Sequence, residues 1–219
     1  MPITTCLFDL DGTLVDSITL IVDSFRHAIY THTPARPSNE ELIAGIGTPL
    51  VEQLGDYTDN PSMVDTMVET YRDYYLEKHN QSVTIYPGVK EGIAALHSRG
   101  IKLGIVTSKN QIGAQRSLGH CGLLEFFQAI ITIDETTEHK PKPAPVFAAL
   151  KALDSEVSEA IFIGDSTHDL QAGNAAGVLT AAVSWGPFDH DALRACQPDL
   201  WLDNPAQEFP KLPELAGNL

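Results

Sequence analysis

The chain has 219 residues, 43% of them hydrophobic, and a formal net charge of -15 at pH 7. That length can bury a sizeable core, as one domain or as a domain carrying an insertion. The charge argues against a phosphate-backbone partner and against an anionic membrane surface, so neither nucleic acid nor membrane is expected as a partner.

Three cysteines, Cys6, Cys121 and Cys196, are odd in number and widely spaced. They form no metal-ligand pattern and suggest a reducing, cytoplasmic compartment. The first strand is expected within a few residues of Met1, so no signal peptide is expected. No apolar stretch reaches membrane-spanning length.

Cys6-Leu7-Phe8 is a short apolar run of the kind that forms a buried parallel strand. Asp9 follows at its carboxyl end, where open α/β sheets place their ligands. Asp11 lies two residues on, so both carboxylates can face one site if the extended geometry persists. Carboxylates that close repel unless a cation or a shared proton compensates. Gly12 permits a turn that other residues resist. An Asp-Gly turn with both carboxylates solvated fits this stretch equally well on its own.

From Leu14 to about Val83 the pattern is helical, with no convincing strand. Asp16 to Tyr30 spaces Ile18, Ile21, Val22, Phe25 and Ile29 as one helical face. Pro34 and Pro37 end it. Ser38 to Glu41 has the form of a capping box, and the helix it opens runs into a loop, Gly45-Ile46-Gly47-Thr48-Pro49. Pro61 suits the first turn of another helix, reaching about His79. Its face of Met63, Met67, Tyr71, Tyr74 and Tyr75 is core material. Connections in compact α/β units are a few residues long, so a stretch of this size between two strands is an inserted subdomain. It carries eleven acidic against four basic residues, giving a solvated acidic outer face.

Strand and helix alternate from Pro87 onward. A helix spans Val89 to Arg99 and stops at Gly100. Lys102 to Val106 is a strand ending in Thr107-Ser108-Lys109, and Gln111 to Leu118 is a helix. Ala129 to Ile133 is a strand ending in Asp134. The loop Lys140-Pro141-Lys142-Pro143-Ala144-Pro145 leads into a helix from about Val146 to Leu153. Ala160 to Ile163 is a strand releasing Gly164-Asp165, and a helix from near His168 to Ala176 is closed by Gly177. Ala181 to Val183 is a strand, and Leu200 to Leu202 a short edge strand. This alternation implies a doubly wound parallel α/β sheet. The expected division is a Rossmann-like core of residues 1–14 and 84–219, with a helical cap of residues 15–83.

Asp9 and Asp11, Thr107 and Ser108, Lys140 and Lys142, and Asp165 with Asp169 all follow strand ends along one sheet edge. Acids, hydroxyls and a lysine together suit a divalent cation and a phosphate. Oxygen ligands with few carboxylates are what Mg2+ prefers, and hydroxyls, lysine and helix-start N–H groups hold phosphate oxygens. Each residue also has a plain structural alternative. Thr107, Ser108 or Asp165 could cap the following helix, and either lysine could be a surface charge.

The ordered motifs Phe8-Asp9-Leu10-Asp11-Gly12-Thr13, Val106-Thr107-Ser108, Lys142-Pro143-Ala144-Pro145 and Gly164-Asp165-Ser166-Thr167-His168-Asp169 resemble the four signatures of the haloacid dehalogenase superfamily. The resemblance is to its small-molecule phosphatases with a helical cap, near the phosphoglycolate phosphatases and bacterial pyrophosphatases. It spans nearly the whole chain, with the insertion where these enzymes carry their cap.

The resemblance implies an Mg2+-dependent phosphatase for a small phosphorylated metabolite. Asp9 would be the nucleophile that becomes an aspartyl-phosphate. Asp11 would be the acid and then the base. Thr107 and the Ser108 N–H would hold phosphate, and Lys142 would neutralise Asp9 and the phosphate. Between the two lysines, both preceding a proline, the family pattern favours Lys142. Mg2+ would be held by Asp9, Asp165 and the carbonyl oxygen of Asp11, with Asp169 as a further ligand or as the group orienting the lysine. On the cap, Gly45, Gly47 and Thr48 are expected to bring backbone N–H groups to a small anion. A monomer or homodimer is expected.

Asp11 argues against a haloacid dehalogenase, which needs no acid there. Ile21 stands where sugar phosphomutases of the superfamily often place a histidine. A non-catalytic domain that keeps the fold would most simply have lost Asp9 or Asp165. The sugar phosphomutase and the non-catalytic domain are the alternatives to a phosphatase.

Overall fold

The computed structural model describes residues 3–216. The chain forms two compact units, Met1–Val15 with Ile85–Leu219, and Asp16–Thr84. In chain order, β1 (Thr5–Phe8) starts the first unit and β2 (Val15–Asp16) leads out of it. The second unit holds α1 (Ile18–His32), α2 (Asn39–Ala44), α3 (Leu50–Gly55) and α4 (Pro61–Ser82). β3 (Thr84–Ile85) returns the chain and pairs with β2 as a two-stranded sheet. These two-residue strands lie in or beside the stretch whose pattern is helical. They are too short to show any periodicity.

The return path runs α5 (Val89–Ser98), β4 (Lys102–Val106), α6 (Gln111–His120), β5 (Ala129–Ile131), α7 (Ala144–Ala152), β6 (Ala160–Gly164), α8 (Thr167–Ala176) and β7 (Leu179–Val183). It ends with α9 (His190–Ala195), β8 (Leu200–Leu202), α10 (Pro205–Glu208) and α11 (Leu212–Ala216). Six strands make one sheet in the order β5-β4-β1-β6-β7-β8, every neighbouring pair parallel. This is the doubly wound α/β architecture that the alternation predicts.

β1 sits between β4 and β6 and is buried along its whole length. Parallel strands covered on both faces read as continuous apolar runs, which is why Cys6-Leu7-Phe8 shows no alternation. Phe8 packs against Phe209 with ring centroids 5.2 Å apart and against Phe127 at 6.3 Å. Truncating such a fully buried ring costs about 3–5 kcal/mol. On the other side of the sheet Leu7, Val106, Phe162, Val146 and Ala172 share one cluster.

Register positions the site. Phe8 pairs with Ile105 on one side and Ile163 on the other. The Asp9 N–H extends the ladder by donating to Ile163 O at 2.9 Å, and the Thr107 N–H does so to Ile131 O at 2.9 Å. Asp9, Thr107 and Asp165 therefore leave three adjacent strands at nearly the same level.

β5 ends at Ile131, two residues before the apolar run does. The Thr132 hydroxyl accepts from the Asp134 N–H at 3.3 Å, and Glu135 accepts from the Thr132 N–H at 2.6 Å. This reciprocal cap turns the chain into a short 3-10 turn and wins over the strand propensity of Ile133.

In the second unit α1 packs on α4, with Phe25 and Tyr71 rings 4.8 Å apart. Met67 and Tyr75 are buried there, while Met63, Tyr71 and Tyr74 are half-buried. The Ser38 capping box forms as expected and opens α2.

Candidate active site

Asp9, Asp165 and Asp169 each offer a carboxylate oxygen within 4.8 Å of the others, and all three are buried. One ammonium lies among them. Lys140 Nζ donates to Asp9 Oδ1 at 2.7 Å, to Asp169 Oδ1 at 2.7 Å and to Val106 O at 3.2 Å. Its three donors are thus used on three elements.

α8 aims Asp169. Ser166 caps the helix, and its N–H and hydroxyl donate to Asp169 Oδ2 at 3.1 and 2.6 Å. Both Asp169 oxygens accept hydrogen bonds, Oδ1 from Lys140 and Oδ2 from Ser166. Asp165 differs. Its Oδ1 accepts from the Thr13 hydroxyl at 2.7 Å, while its buried Oδ2 has no hydrogen-bond partner in the protein. The backbone around it is glycine. A Cβ on Gly12, whose φ is +90°, would come within 2.2 Å of Asp165 Oδ2, and one on Gly186 within 2.3 Å of Asp165 Cβ. Trp185 holds the same loop by donating from its indole N–H to Thr13 O at 3.0 Å.

Asp11 belongs to a second pair. Lys109 Nζ lies 2.8 and 2.7 Å from its two carboxylate oxygens, and both side chains are 12% exposed. Lys109 is anchored at its backbone as well. Its N–H donates to Thr107 Oγ1 at 3.2 Å, and its carbonyl accepts from Ile133 N at 3.1 Å.

The charges decide what the site can hold. Four carboxylates face two ammonium groups, an excess of two negative charges in a largely buried volume. Burial pushes the Asp9 carboxyl up to about 7, against the pull of Lys140 and with the help of Asp169. Burial likewise holds Asp165 well above the ordinary carboxylate range, and Asp9 and Asp169 push it the same way. For Lys140 burial works against the charge, but Asp169 and Asp9 outweigh it, so its ammonium is held above its ordinary value. A buried carboxylate oxygen without a donor, beside another raised carboxyl, fits a hard divalent cation such as Mg2+.

A family model described as haloacid dehalogenase-like hydrolase matches residues 6–183. The chain belongs to the haloacid dehalogenase-like hydrolases. It is 40% identical over 200 residues to the pyrophosphatase PpaX of Bacillus pumilus, covering 91% of this chain and 92% of that one. A haloacid dehalogenase-like family hydrolase from Streptococcus pneumoniae superposes with a TM-score of 0.82 at 27% identity, covering 99% of each chain. A β-phosphoglucomutase from Clostridium difficile shares the fold with a TM-score of 0.86 at 20% identity, over 99% of this chain and 98% of that one.

In this haloacid dehalogenase-like hydrolase the lysine beside Asp9 is Lys140. Lys142, which the family pattern favours, is 64% exposed and pairs with Glu138 at 2.9 Å. Lys142 directly precedes Pro143 and the first turn of α7, where its stem finds no buried surroundings. The carboxylate that joins Asp9 and Asp165 is that of Asp169, whereas the Asp11 side chain lies with Lys109.

Thr107 is buried, and it lines a cleft with Ser108, Thr132, Thr136, His139 and Lys140. Within that cleft Thr136 Oγ1 and His139 Nδ1 are buried without a protein partner. Neither residue stands in a recognisable pattern. The N-terminus of α6 is capped by Asn110, so Thr107 and Ser108 are not needed as caps there. Asp134 accepts from the Gln111 N–H at 2.9 Å and serves the same helix.

Gly45, Gly47 and Thr48 form the α2–α3 loop of the second unit. The N–H groups of Ile46 and Thr48 donate within it, to Ile43 O at 2.9 Å and Gly45 O at 3.1 Å. Gly47 has φ +102°, whereas Gly45 has an ordinary helical backbone. The reason for glycine at 45 is space, because a Cβ there would meet Gln53 Nε2 at 2.2 Å. Of the three residues expected to bring N–H groups to an anion, Thr48 has its N–H bonded within the loop.

Proposed function

We propose that this protein is a cytoplasmic, divalent-cation-dependent phosphohydrolase for a small phosphorylated metabolite, either a phosphoglycolate-like ester or pyrophosphate. The observation that carries this reading is the Lys140 ammonium shared by Asp9 and Asp169 beside the unpartnered oxygen of Asp165. The resemblance to a pyrophosphatase over nearly the whole chain favours a phosphoanhydride or a compact ester.

Asp9 is the nucleophile. One of its oxygens attacks phosphorus, the bond to the leaving oxygen breaks, and an aspartyl-phosphate forms. Lys140 holds Asp9 in place and offsets charge on the transferring phosphoryl group. The Thr107 hydroxyl and the Ser108 N–H hold phosphoryl oxygens. Asp11 gives its proton to the leaving oxygen, then takes one from the water that cleaves the intermediate and releases phosphate. Asp9, Asp165 and the Asp11 carbonyl would hold Mg2+, which when bound would supply the remaining positive charge that an anionic nucleophile needs beside an anionic phosphate. Asp169 keeps Lys140 aimed.

Asp11 favours phosphoryl transfer over dehalogenation, and Ile21 argues against a mutase. Phosphate release should be measured across a panel of small phosphate esters and pyrophosphate, with Mg2+ and with EDTA. Release from at least one compound, silenced by EDTA, is expected. Absence of release from every compound with Mg2+ present would overturn the proposal.

A further inference from the structure

We propose that Trp185 is a positioning residue for the divalent cation. Its indole N–H, acting through Thr13, fixes the rotation of the Asp165 carboxylate and leaves Oδ2 as the oxygen for the cation. This rests on the phosphohydrolase reading given above, in which Asp165 holds Mg2+. Neither the sequence motifs nor the reaction just described gives Trp185 a part.

The carboxylate of an aspartate turns about its Cβ–Cγ bond, a torsion with a broad range. Whatever binds one oxygen therefore decides where the other one points. In Asp165 the Thr13 hydroxyl donates to Oδ1 at 2.7 Å, and Oδ2 is buried without a hydrogen-bond partner in the protein. Thr13 is fully buried, and its β-branched side chain has few rotamers. The place of its hydroxyl is thus set by the place of its backbone.

Trp185 holds that backbone. It follows β7, and its indole N–H donates to Thr13 O at 3.0 Å. An indole N–H can only donate, so the direction of this bond is fixed. The indole packs on two aromatic rings, with centroids 6.0 Å from Phe209 and 6.4 Å from Tyr86. Phe209 is fully buried and packs in turn on Phe8 of β1. The Tyr86 N–H donates to Leu14 O at 3.2 Å, so consecutive carbonyls of the nucleophile loop are held by two residues whose rings are neighbours.

The residue after Trp185 meets Asp165 directly. A Cβ on Gly186 would lie 2.3 Å from Asp165 Cβ and 2.9 Å from its Oδ2. One loop therefore backs the cation ligand and steers it through Thr13. Packing accounts for the ring of Trp185. The N–H adds a link that packing does not supply, and its removal loosens Thr13 without emptying the aromatic cluster.

Trp185→Phe keeps an aromatic ring beside Phe209 and removes the donor. Mg2+ is titrated calorimetrically into substrate-free wild type, Trp185→Phe, Thr13→Val, Thr13→Ser and the double variant Trp185→Phe/Thr13→Val. Thr13→Val is expected to weaken Mg2+ binding about tenfold or more, as the loss of a partner that orients a metal ligand does. Thr13→Ser keeps the hydroxyl and should lose less than about threefold, and Trp185→Phe, acting at one remove, about three- to tenfold. The double variant should be no weaker than Thr13→Val, because both changes cut one path. Wild-type Mg2+ affinity in a folded Trp185→Phe, or losses that add in the double variant, would overturn the proposal. A wild type that binds no Mg2+ sinks the cation reading as well, whereas binding that ignores Trp185 sinks this one alone.

Fluorescence decides the matter even where Trp185→Phe does not fold. The chain has two tryptophans, so Trp201→Phe leaves Trp185 as the sole one. Saturating Mg2+ should change its emission, and the change should vanish in Trp201→Phe/Thr13→Val. Emission indifferent to Mg2+ in Trp201→Phe, or the same response with and without the Thr13 hydroxyl, would refute the link.

Discussion

The Lys140 ammonium sits 2.7 Å from a carboxylate oxygen of Asp9 and 2.7 Å from one of Asp169, residues that follow β1 and enter α8. One buried cation thus joins the proposed nucleophile to Asp169, whose other oxygen completes the capping box of α8. Removing Lys140 would leave two buried carboxylates facing each other.

Lys140→Met is therefore expected to lose activity by at least about a hundredfold and stability by about 3–5 kcal/mol. Lys142→Ala removes only an exposed pair with Glu138 and should change stability by less than about 1 kcal/mol, with turnover near wild type. Urea unfolding and phosphate release on both variants check this. A silent Lys142→Ala beside an active Lys140→Met would reverse the assignment of the two lysines.

Asp9→Asn keeps shape and removes the attacking charge. Turnover should fall by at least about a thousandfold. The circular dichroism spectrum should be unchanged, because Asn still accepts from Lys140 and β1 keeps its register. Burst labelling with a radioactive phosphoryl donor should mark wild type and not the variant. A labelled Asp9→Asn protein would place the nucleophile elsewhere.

The raised carboxyls predict how stability depends on pH when no divalent cation is present. Folded Asp9 keeps its proton up to about pH 7, whereas an unfolded aspartate loses it near pH 4. Between those values the folded state binds more protons, so stability falls as pH rises, and the full penalty is present above about 7. Asp165 acts with the same sign. Mg2+ binds the ionised carboxylates, so the Tm gained on adding it should be larger at pH 8 than at pH 5. Thermal unfolding in EDTA and in Mg2+ at both pH values tests this, and an Mg2+ gain that is greater at pH 5 would contradict it.

Glycine at positions 12 and 186 leaves room for the Asp165 carboxylate in the proposed cation site. Gly186→Ala crowds Asp165 without requiring a left-handed backbone, and Gly12→Ala adds strain at φ +90°. Both should raise the Mg2+ concentration for half-maximal activity by about tenfold, Gly12→Ala more than Gly186→Ala. Calorimetric Mg2+ titration reads the effect directly. Wild-type affinity in both variants would argue that the cation is held without Asp165.

Much of this protein is determined locally and is legible in the sequence. Apolar runs that end in Asp9, Thr107 and Asp165 specify parallel strands, because a strand covered on both faces admits little polarity before its end. The Ser38 capping box depends on neighbours three residues apart. The choice between Lys140 and Lys142 was not legible, since both precede a proline and differ only in where the loop meets its surroundings. That is settled by Asp9 and Asp169, which are 131 and 29 residues from Lys140. The Lys109–Asp11 pair spans 98 residues and the Thr13–Asp165 bond 152. Sheet register brings these partners together, and register is a property of the whole packed sheet rather than of any segment. Sequence thus determined which chemical groups reach the sheet edge, while tertiary structure decided which charge each of them meets.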